Sequence, residues 1–276
     1  MAFELRPNEL KKARSAFHSV RYDLAVESIL RGLTTARVFV DSAESPRWAL
    51  TCFKGKVGLG GEPDNPACGR IANRLLREAF LPELASRGWS TFRLHCNINN
   101  WRDQIDLVLK NMTWTEAQRQ YWDLHASGST RDLTTPDCLE LHPINAALLS
   151  RSDLKNLRAV TEEMRSERVS IEDFLQKSFG YCALCGTEIV GWCMSEYNVD
   201  NRCELGIATV ERYRRRGIAT VTGTAVISHA VSRGITDIGW HCWADNEASI
   251  RTAQRPGFRK ERDYTVHLVN IGSTDH

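Results

Sequence analysis

The chain has 276 residues, 42% hydrophobic and 25% charged, with Lys+Arg 36 against Asp+Glu 34 and a formal net charge of +2. That is a globular composition sized for about two domains, and its near-neutral balance excludes a global polycation for gripping nucleic acid. The nine scattered cysteines read as reduced thiols, the start MAFELRPNELKKARSAF lacks an apolar export segment, and no run nears the ~18–20 apolar residues of a membrane span, so a cytoplasmic protein without membrane contact is expected.

Strand-like runs come first, at 36–40, 47–53 and 56–60. Ile71, Ala72, Leu75, Leu76, Ala79, Phe80 and Leu84 then recur at helical spacing and predict a long amphipathic helix, which Pro82 would kink or shorten. It closes at Ser86-Arg87-Gly88, with glycine where a left-handed residue is wanted. A β-rich run at 91–96, a short helix near Asn100 and a strand around 118–121 follow, and the polar segment 126–136 reads as a linker. The second half offers strands at 138–142, 181–185, 189–197 and 202–210, with a helical stretch at 152–180. An apolar helix at 218–231 closes at Ser232-Arg233-Gly234, and a strand at 237–243, a short helix after Asn246 and a strand around 261–264 complete it.

The two halves repeat. SRGWSTFRLHCNINN (86–100) and SRGITDIGWHCWADN (232–246) share Ser, Arg, Gly, His, Cys and Asn at one constant offset of 146, so that His95 matches His241 and Asn100 matches Asn246. Gln118-Arg-Gln-Tyr121 likewise echoes Glu261-Arg-Asp-Tyr264. Two copies of one α+β unit are expected, over 1–135 and 136–276.

The copies differ at one turn. In the second, a strand leads into Tyr213-Arg214-Arg215-Arg216-Gly217-Ile218-Ala219-Thr220, which opens a helix. Unpaired N–H groups and the positive end of the helix dipole suit such a turn to a diphosphate, and Gly217 lets backbone approach it. The spacing is not that of an ATP P-loop. The first copy has Cys68-Gly69-Arg70-Ile71-Ala72-Asn73, with branched Ile71 where Gly217 stands, so the N-terminal copy is expected to be degenerate and without a cofactor.

In order and spacing the second copy resembles the Gcn5-related N-acetyltransferase (GNAT) family. The motif Arg/Gln-x-x-Gly-x-Gly/Ala matches Arg214, Gly217 and Ala219. The later Asn, small-residue helix and Gly-Phe match Asn246, Ala248, Ser249, Gly257 and Phe258. The resemblance covers about 138–270 and extends to the first half only through the duplication; tandem GNAT proteins of the zwittermicin A resistance type are the most similar group. It implies two tandem units, each a mixed, mostly antiparallel sheet flanked by helices. It also implies acetyl-CoA or another acyl-CoA as donor, with its pyrophosphate on the amides of Arg214, Arg215, Arg216, Gly217, Ile218, Ala219 and Thr220. Thr209 and Val210 would border it, with Asn246 and Ser249 near the pantetheine arm. The chemistry implied is direct attack by an amine of a small molecule on the thioester, without a metal, in antibiotic biosynthesis or resistance. Backbone N–H groups around 207–210 would stabilise the oxyanion.

A primary amine holds its proton near pKa 10, so a base must act. Glu204 is the first candidate, against a solvated strand-end carboxylate, and His241 the second, against a structural histidine repeated as His95. The family's usual leaving-group tyrosine is replaced by Ala253. Tyr264 could substitute, although its counterpart Tyr121 argues for packing, and water could protonate the thiolate instead. Cys182-x-x-Cys185 is one half of a zinc knuckle and reads as buried thiols, as do Cys193 and Cys203. Cys242 has its echo in Cys96 and reads as packing, the glycine-rich 56–62 as a strand and turn, and Trp192, Trp240 and Trp243 as either sheet aromatics or an acceptor lining. Two alternatives stand beside the acyl-CoA transferase. One takes its acyl or aminoacyl group from a carrier protein or an aminoacyl-tRNA, met by Arg212, Arg214–Arg216, Arg251, Arg255, Arg259, Lys260 and Arg262. The other is a non-catalytic CoA-binding module. No motif fixes the acceptor, the acyl group or the oligomeric state.

Overall fold

The computed structural model describes residues 2–126 and 139–271; apart from Ala126, the linker reading lies outside them. The chain forms two compact units. The first runs to Arg119 and takes in the chain from Tyr264 onward; the second runs from Gln120 to Asp263. These units do not coincide with 1–135 and 136–276: residues 120–125 count with the second, and 264–270 with the first.

The first unit opens with β1 (Phe3–Glu4), two 3-10 turns, α1 (Leu24–Leu30), β2 (Arg37–Val40), β3 (Trp48–Phe53) and β4 (Lys56–Gly61). The long apolar helix then appears as α2 (Ala67–Leu75), a π turn (Leu76–Phe80) and α3 (Leu81–Ser86). Pro82 sits in the first turn of α3, where its missing N–H is tolerated, so the helix widens before the proline rather than stopping. Ala72, Leu76, Phe80 and Leu84 are buried together with Leu50, Leu59 and Leu94 of the sheet. There follow β5 (Thr91–Cys96), α4 (Ile98–Trp101), a 3-10 turn, α5 (Ile105–Val108) and β6 (Trp114–His125). Strands β1 to β4 pair antiparallel in sequence order, and β4 pairs parallel with β5.

In the second unit come β7 (Glu140–Pro143), α6 (Ala146–Leu149), α7 (Leu157–Glu167), α8 (Ile171–Lys177), β8 (Gly180–Cys185), β9 (Glu188–Val199) and β10 (Arg202–Thr209). A 3-10 turn leads to α9 (Ile218–Ser232), then β11 (Asp237–Trp243), α10 (Glu247–Gln254) and β12 (Arg259–Asn270). The helical stretch expected at 152–180 is two helices: Arg168 turns extended, and the Ser170 hydroxyl caps α8 by accepting from the Asp173 N–H at 3.1 Å. Strands β7 to β10 are antiparallel, and β10 pairs parallel with β11. One face of this sheet packs on α9 through Leu205, Ile238, Trp240, Val226 and Ala230. Met194, Leu184 and Trp192 pack with Val160, Met164 and Phe174 of α7 and α8. Burial overrides the modest helix propensity of the Thr- and Val-rich α9. Among the described residues no helix is long and apolar enough to cross a membrane.

The last five residues of β12 lie antiparallel to β5, with Val266 opposite His95. There His267 is fully buried against Trp114, with Glu116 Oε1 at 3.5 Å. Burial holds its imidazole below the ordinary value of 6.5. The unfolded chain therefore binds the proton more readily, and this residue's contribution, complete above pH 6.5, is lost as the pH falls toward the lowered folded-state value. Urea unfolding at pH 7.5 and pH 5 should show a larger acid loss for the parent than for His267→Phe.

Candidate active site

The parallel ladder between β10 and β11 runs from Arg202–Asp237 to Leu205–Trp240 and stops. Strand β10 continues to Thr209 paired with β9, so the strands part and one edge of 206–209 has no strand partner among the described residues. A register shift in β10 lies just before the parting, between Cys203 and Leu205.

Beyond the strand end the chain makes the Arg-rich turn. Arg215 (φ 64°) and Gly217 (φ 79°) are both left-handed, and Gly217 caps α9 with no side chain accepting from the first-turn amides. A left-handed residue followed by a helical one turns successive N–H groups into one concavity that favours an anion. The turn, the end of β10 and α10 line a single cleft of about 990 Å³. Its lining includes Thr209, Arg214, Arg215, Gly217, Ile218, Ala219, Thr220, Asn246 and Ser249. Of the residues expected to bind a donor, Val210 and Arg216 are not in that lining. The Val210 N–H is bonded to the Val190 carbonyl, and the Arg216 guanidinium lies 5.3 Å from the Tyr213 ring centre. Thr209 Oγ1, a buried hydroxyl oxygen, has no hydrogen-bond partner among the described residues. Arg255, missed as a lining residue, donates to Thr220 Oγ1 at 3.1 Å.

Asn246 and Ser249 hold the far wall. The Asn246 carbonyl oxygen accepts from the Ser249 N–H at 3.0 Å and caps α10, while Ser249 Oγ accepts from Trp240 Nε1 at 3.0 Å. Trp240 is thereby core, packed on Phe258, and Trp192 is core on the α7–α8 side. Ala253 is fully buried in the α9-side cluster, which leaves no room for a tyrosine. Cys182 is a buried thiol pushed up to about 12, and among the described residues no His, Cys, Asp and Glu side chains gather as a metal set.

Glu204, in the irregular part of β10, is 4% exposed. Its Oε1 stands 3.2 Å from His241 Nε2 on β11. Two of the three expected catalytic groups therefore meet. The third does not join them within this unit: Tyr264 belongs to the first unit, its ring 4.9 Å from His95 and 5.4 Å from Tyr22. The tyrosine beside His241 is Tyr121, 4.8 Å between ring centres. The repeat paired Tyr121 with Tyr264 but carried no sign that the strand ends belong to opposite units.

In the first unit the corresponding places are filled by the chain itself. The β4–β5 ladder ends at Leu59–Cys96, and the Gly61 carbonyl beyond it accepts from Asn100 Nδ2 at 3.2 Å and Trp101 Nε1 at 3.1 Å. Trp101 is completely buried, edge-on to Trp48, where the repeat offset puts exposed Glu247 in the second unit. At the helix start, the Gly69 N–H donates to Gln104 Oε1 at 2.8 Å. Trp101→Ala should therefore lower stability by about 3–5 kcal/mol in urea unfolding, from lost packing and a residual cavity.

Comparison with known proteins agrees with this geometry. Residues 14–267 match the sequence pattern of the family described as GNAT acetyltransferase. The chain is 28% identical over 176 residues to the uncharacterized N-acetyltransferase YdfB of Bacillus subtilis, a match spanning 64% of this chain and 65% of that protein. A GCN5-related N-acetyltransferase-like protein from Streptococcus suis superposes with a TM-score of 0.69 at 17% identity, covering 95% of this chain and 99% of that one. A tandem GNAT protein from the clavulanic acid biosynthesis pathway does so with a TM-score of 0.58 at 14% identity, over 100% and 99%. With a family match across most of its length, on a fold shared by such structures and with a glycine turn opening on a cleft, the chain belongs to the GNAT acetyltransferase family.

Proposed function

We propose that the second unit is an acyl-CoA-dependent N-acyltransferase, with acetyl-CoA the first donor to try and an amine of a small molecule as acceptor. The observation that carries the reading is the cleft, lined by the end of β10, the left-handed Gly217 turn, the start of α9 and α10. An acyl-CoA bound there would supply an activated thioester. The amides of 217–220, with Arg214 and Arg215, would take its diphosphate charge, and the unpaired Thr209 hydroxyl oxygen and strand edge would take polar groups of its arm. Glu204, with His241, would remove the proton from the attacking amine.

A free donor is favoured over a tRNA-borne one, because much of the local basic density is already neutralised. Arg212 pairs with Glu188, Arg251 with Glu247, Lys260 with Asp263 and Arg262 with Glu261. The test is a panel of primary amines assayed with acetyl-CoA for thiol release. Amine-dependent release supports the reading. Salt-sensitive tRNA binding with no acetyl-CoA binding would replace it with the aminoacyl-tRNA alternative.

A further inference from the structure

Left-handed backbone at a residue with a side chain is unfavourable, and it persists only where the surroundings over-determine it. Arg215, at φ 64°, is such a residue in the middle of the donor turn. Its surroundings come from the first residues of β9. Glu188 Oε2 accepts from the Tyr213 hydroxyl at 2.9 Å, and the Val190 carbonyl accepts from the Val210 N–H at 2.9 Å. Gly191 leaves bare backbone against Ile218, since a Cβ there would fall 2.6 Å from Ile218 Cγ2. Residues 214–217 thus hang between two anchored side chains, Tyr213 and Ile218, which pack with Val190 and Ala183 in one apolar cluster.

The two anchors differ in kind. Ile218 is apolar and buried. Tyr213 is only partly buried, with the Arg212 and Arg216 guanidinium groups 5.2 and 5.3 Å from its ring centre, and its hydroxyl ties it to the sheet. Glu188 is itself firmly set. Its side chain is 14% exposed and also accepts from Arg212 and, at 3.2 Å, from Asn156 Nδ2. Its backbone is framed on both sides: the Lys155 N–H donates to the Thr187 carbonyl at 2.9 Å, and the Ile189 N–H to the Lys155 carbonyl at 3.2 Å. The bonds from Arg212 and Tyr213 hold the carboxyl below its ordinary value of 4.5, so it is ionised at neutral pH. We propose that Glu188 is a positioning residue for the donor turn: through the Tyr213 hydroxyl it holds 214–217 in the shape in which Arg214, Arg215 and Gly217 line the cleft, and so sets the affinity for the donor. That the donor is an acyl-CoA rests on the reading above; the hold on the turn does not. The sign of the effect separates this role from a charge effect. As a mere negative charge near a polyanion, Glu188 would oppose donor binding, and its removal would tighten it. As an anchor, its removal weakens binding.

In the full chain without donor, hydrogen exchange followed by mass spectrometry reads the turn itself. Glu188→Ala should speed exchange in peptides spanning 213–220 by about tenfold and leave β11 unchanged. Tyr213→Phe, which keeps the ring and loses the hydroxyl, should do the same and serves if Glu188→Ala does not fold. Glu188→Gln, whose amide oxygen still accepts from the phenol, should exchange like the parent. Calorimetry with acetyl-CoA reads the consequence. Glu188→Ala and Tyr213→Phe should each weaken binding by about tenfold, and the double variant no more than either alone. Parent-like exchange at 213–220 in Glu188→Ala, or in Tyr213→Phe, overturns the positioning role, as does tighter acetyl-CoA binding in Glu188→Ala. A parent that binds no acetyl-CoA would instead overturn the donor reading, with the exchange result still deciding whether Glu188 holds the turn.

Discussion

Glu204→Gln is expected to lower kcat for acetyl transfer by about 10²–10⁴-fold, the range general bases contribute, with acetyl-CoA affinity unchanged. The substitution keeps the shape of a side chain that is 4% exposed and removes its ability to take a proton. An amine that arrives as an ammonium cannot attack until that proton leaves. Because Glu204 is not among the cleft-lining residues, donor binding gives an internal control. Steady-state thiol release and calorimetry on the same preparation measure both; equal losses in kcat and affinity would point to a disturbed fold rather than to a missing base.

The second large effect concerns the turn. Gly217→Glu should weaken acetyl-CoA binding at least a hundredfold, on three physical grounds. The position needs φ near 79°, which an L side chain adopts only at a cost. Any side chain there raises the surface that a diphosphate must approach, and a carboxylate sets negative charge against negative charge at the positive end of α9. Calorimetric titration of the variant beside the parent measures the loss, and binding within tenfold of the parent would contradict the proposed cradle.

Much of this architecture is legible in residue order. The apolar stripe from Ile71 to Leu84, the two Ser-Arg-Gly helix ends and the strands at Thr91–Cys96 and Asp237–Trp243 follow from periodicity and cap chemistry. Gly88 and Gly234 take φ of 78° and 80°, and the Ile235 N–H closes α9 on the Ala230 carbonyl at 3.0 Å. The glycine turn is local in sequence and was found the same way. What depends on distant pairing was not legible. Nothing in Gln118–Tyr121 or Glu261–Tyr264 distinguishes one strand neighbour from another, because both runs are polar with a single aromatic and would fit beside either copy's inner strand. Hence residue order offers Tyr264 as a substitute for the leaving-group tyrosine, whereas the tyrosine ring beside His241 is that of Tyr121. Ile71 alone marks the first turn as unfit for a close-lying ligand, yet the groups that bond the Gly61 carbonyl and the Gly69 N–H come from Trp101 and Gln104, thirty and more residues on. A tryptophan opposite Glu247 in the 146-residue register was the available signal, since a large apolar side chain facing an aligned charged one marks a buried place against an open one.

The stoichiometry of acetyl-CoA binding tests the central claim most directly. One cleft is lined by the end of β10, the glycine turn, the start of α9 and α10, whereas at the corresponding places of the first unit Trp101 bonds the Gly61 carbonyl and Gln104 the Gly69 N–H. Calorimetric titration of the full chain should return one site per chain, removed by Gly217→Glu. Two equivalent sites, or no binding of acetyl-CoA at all, would contradict the assignment of the donor to the second unit.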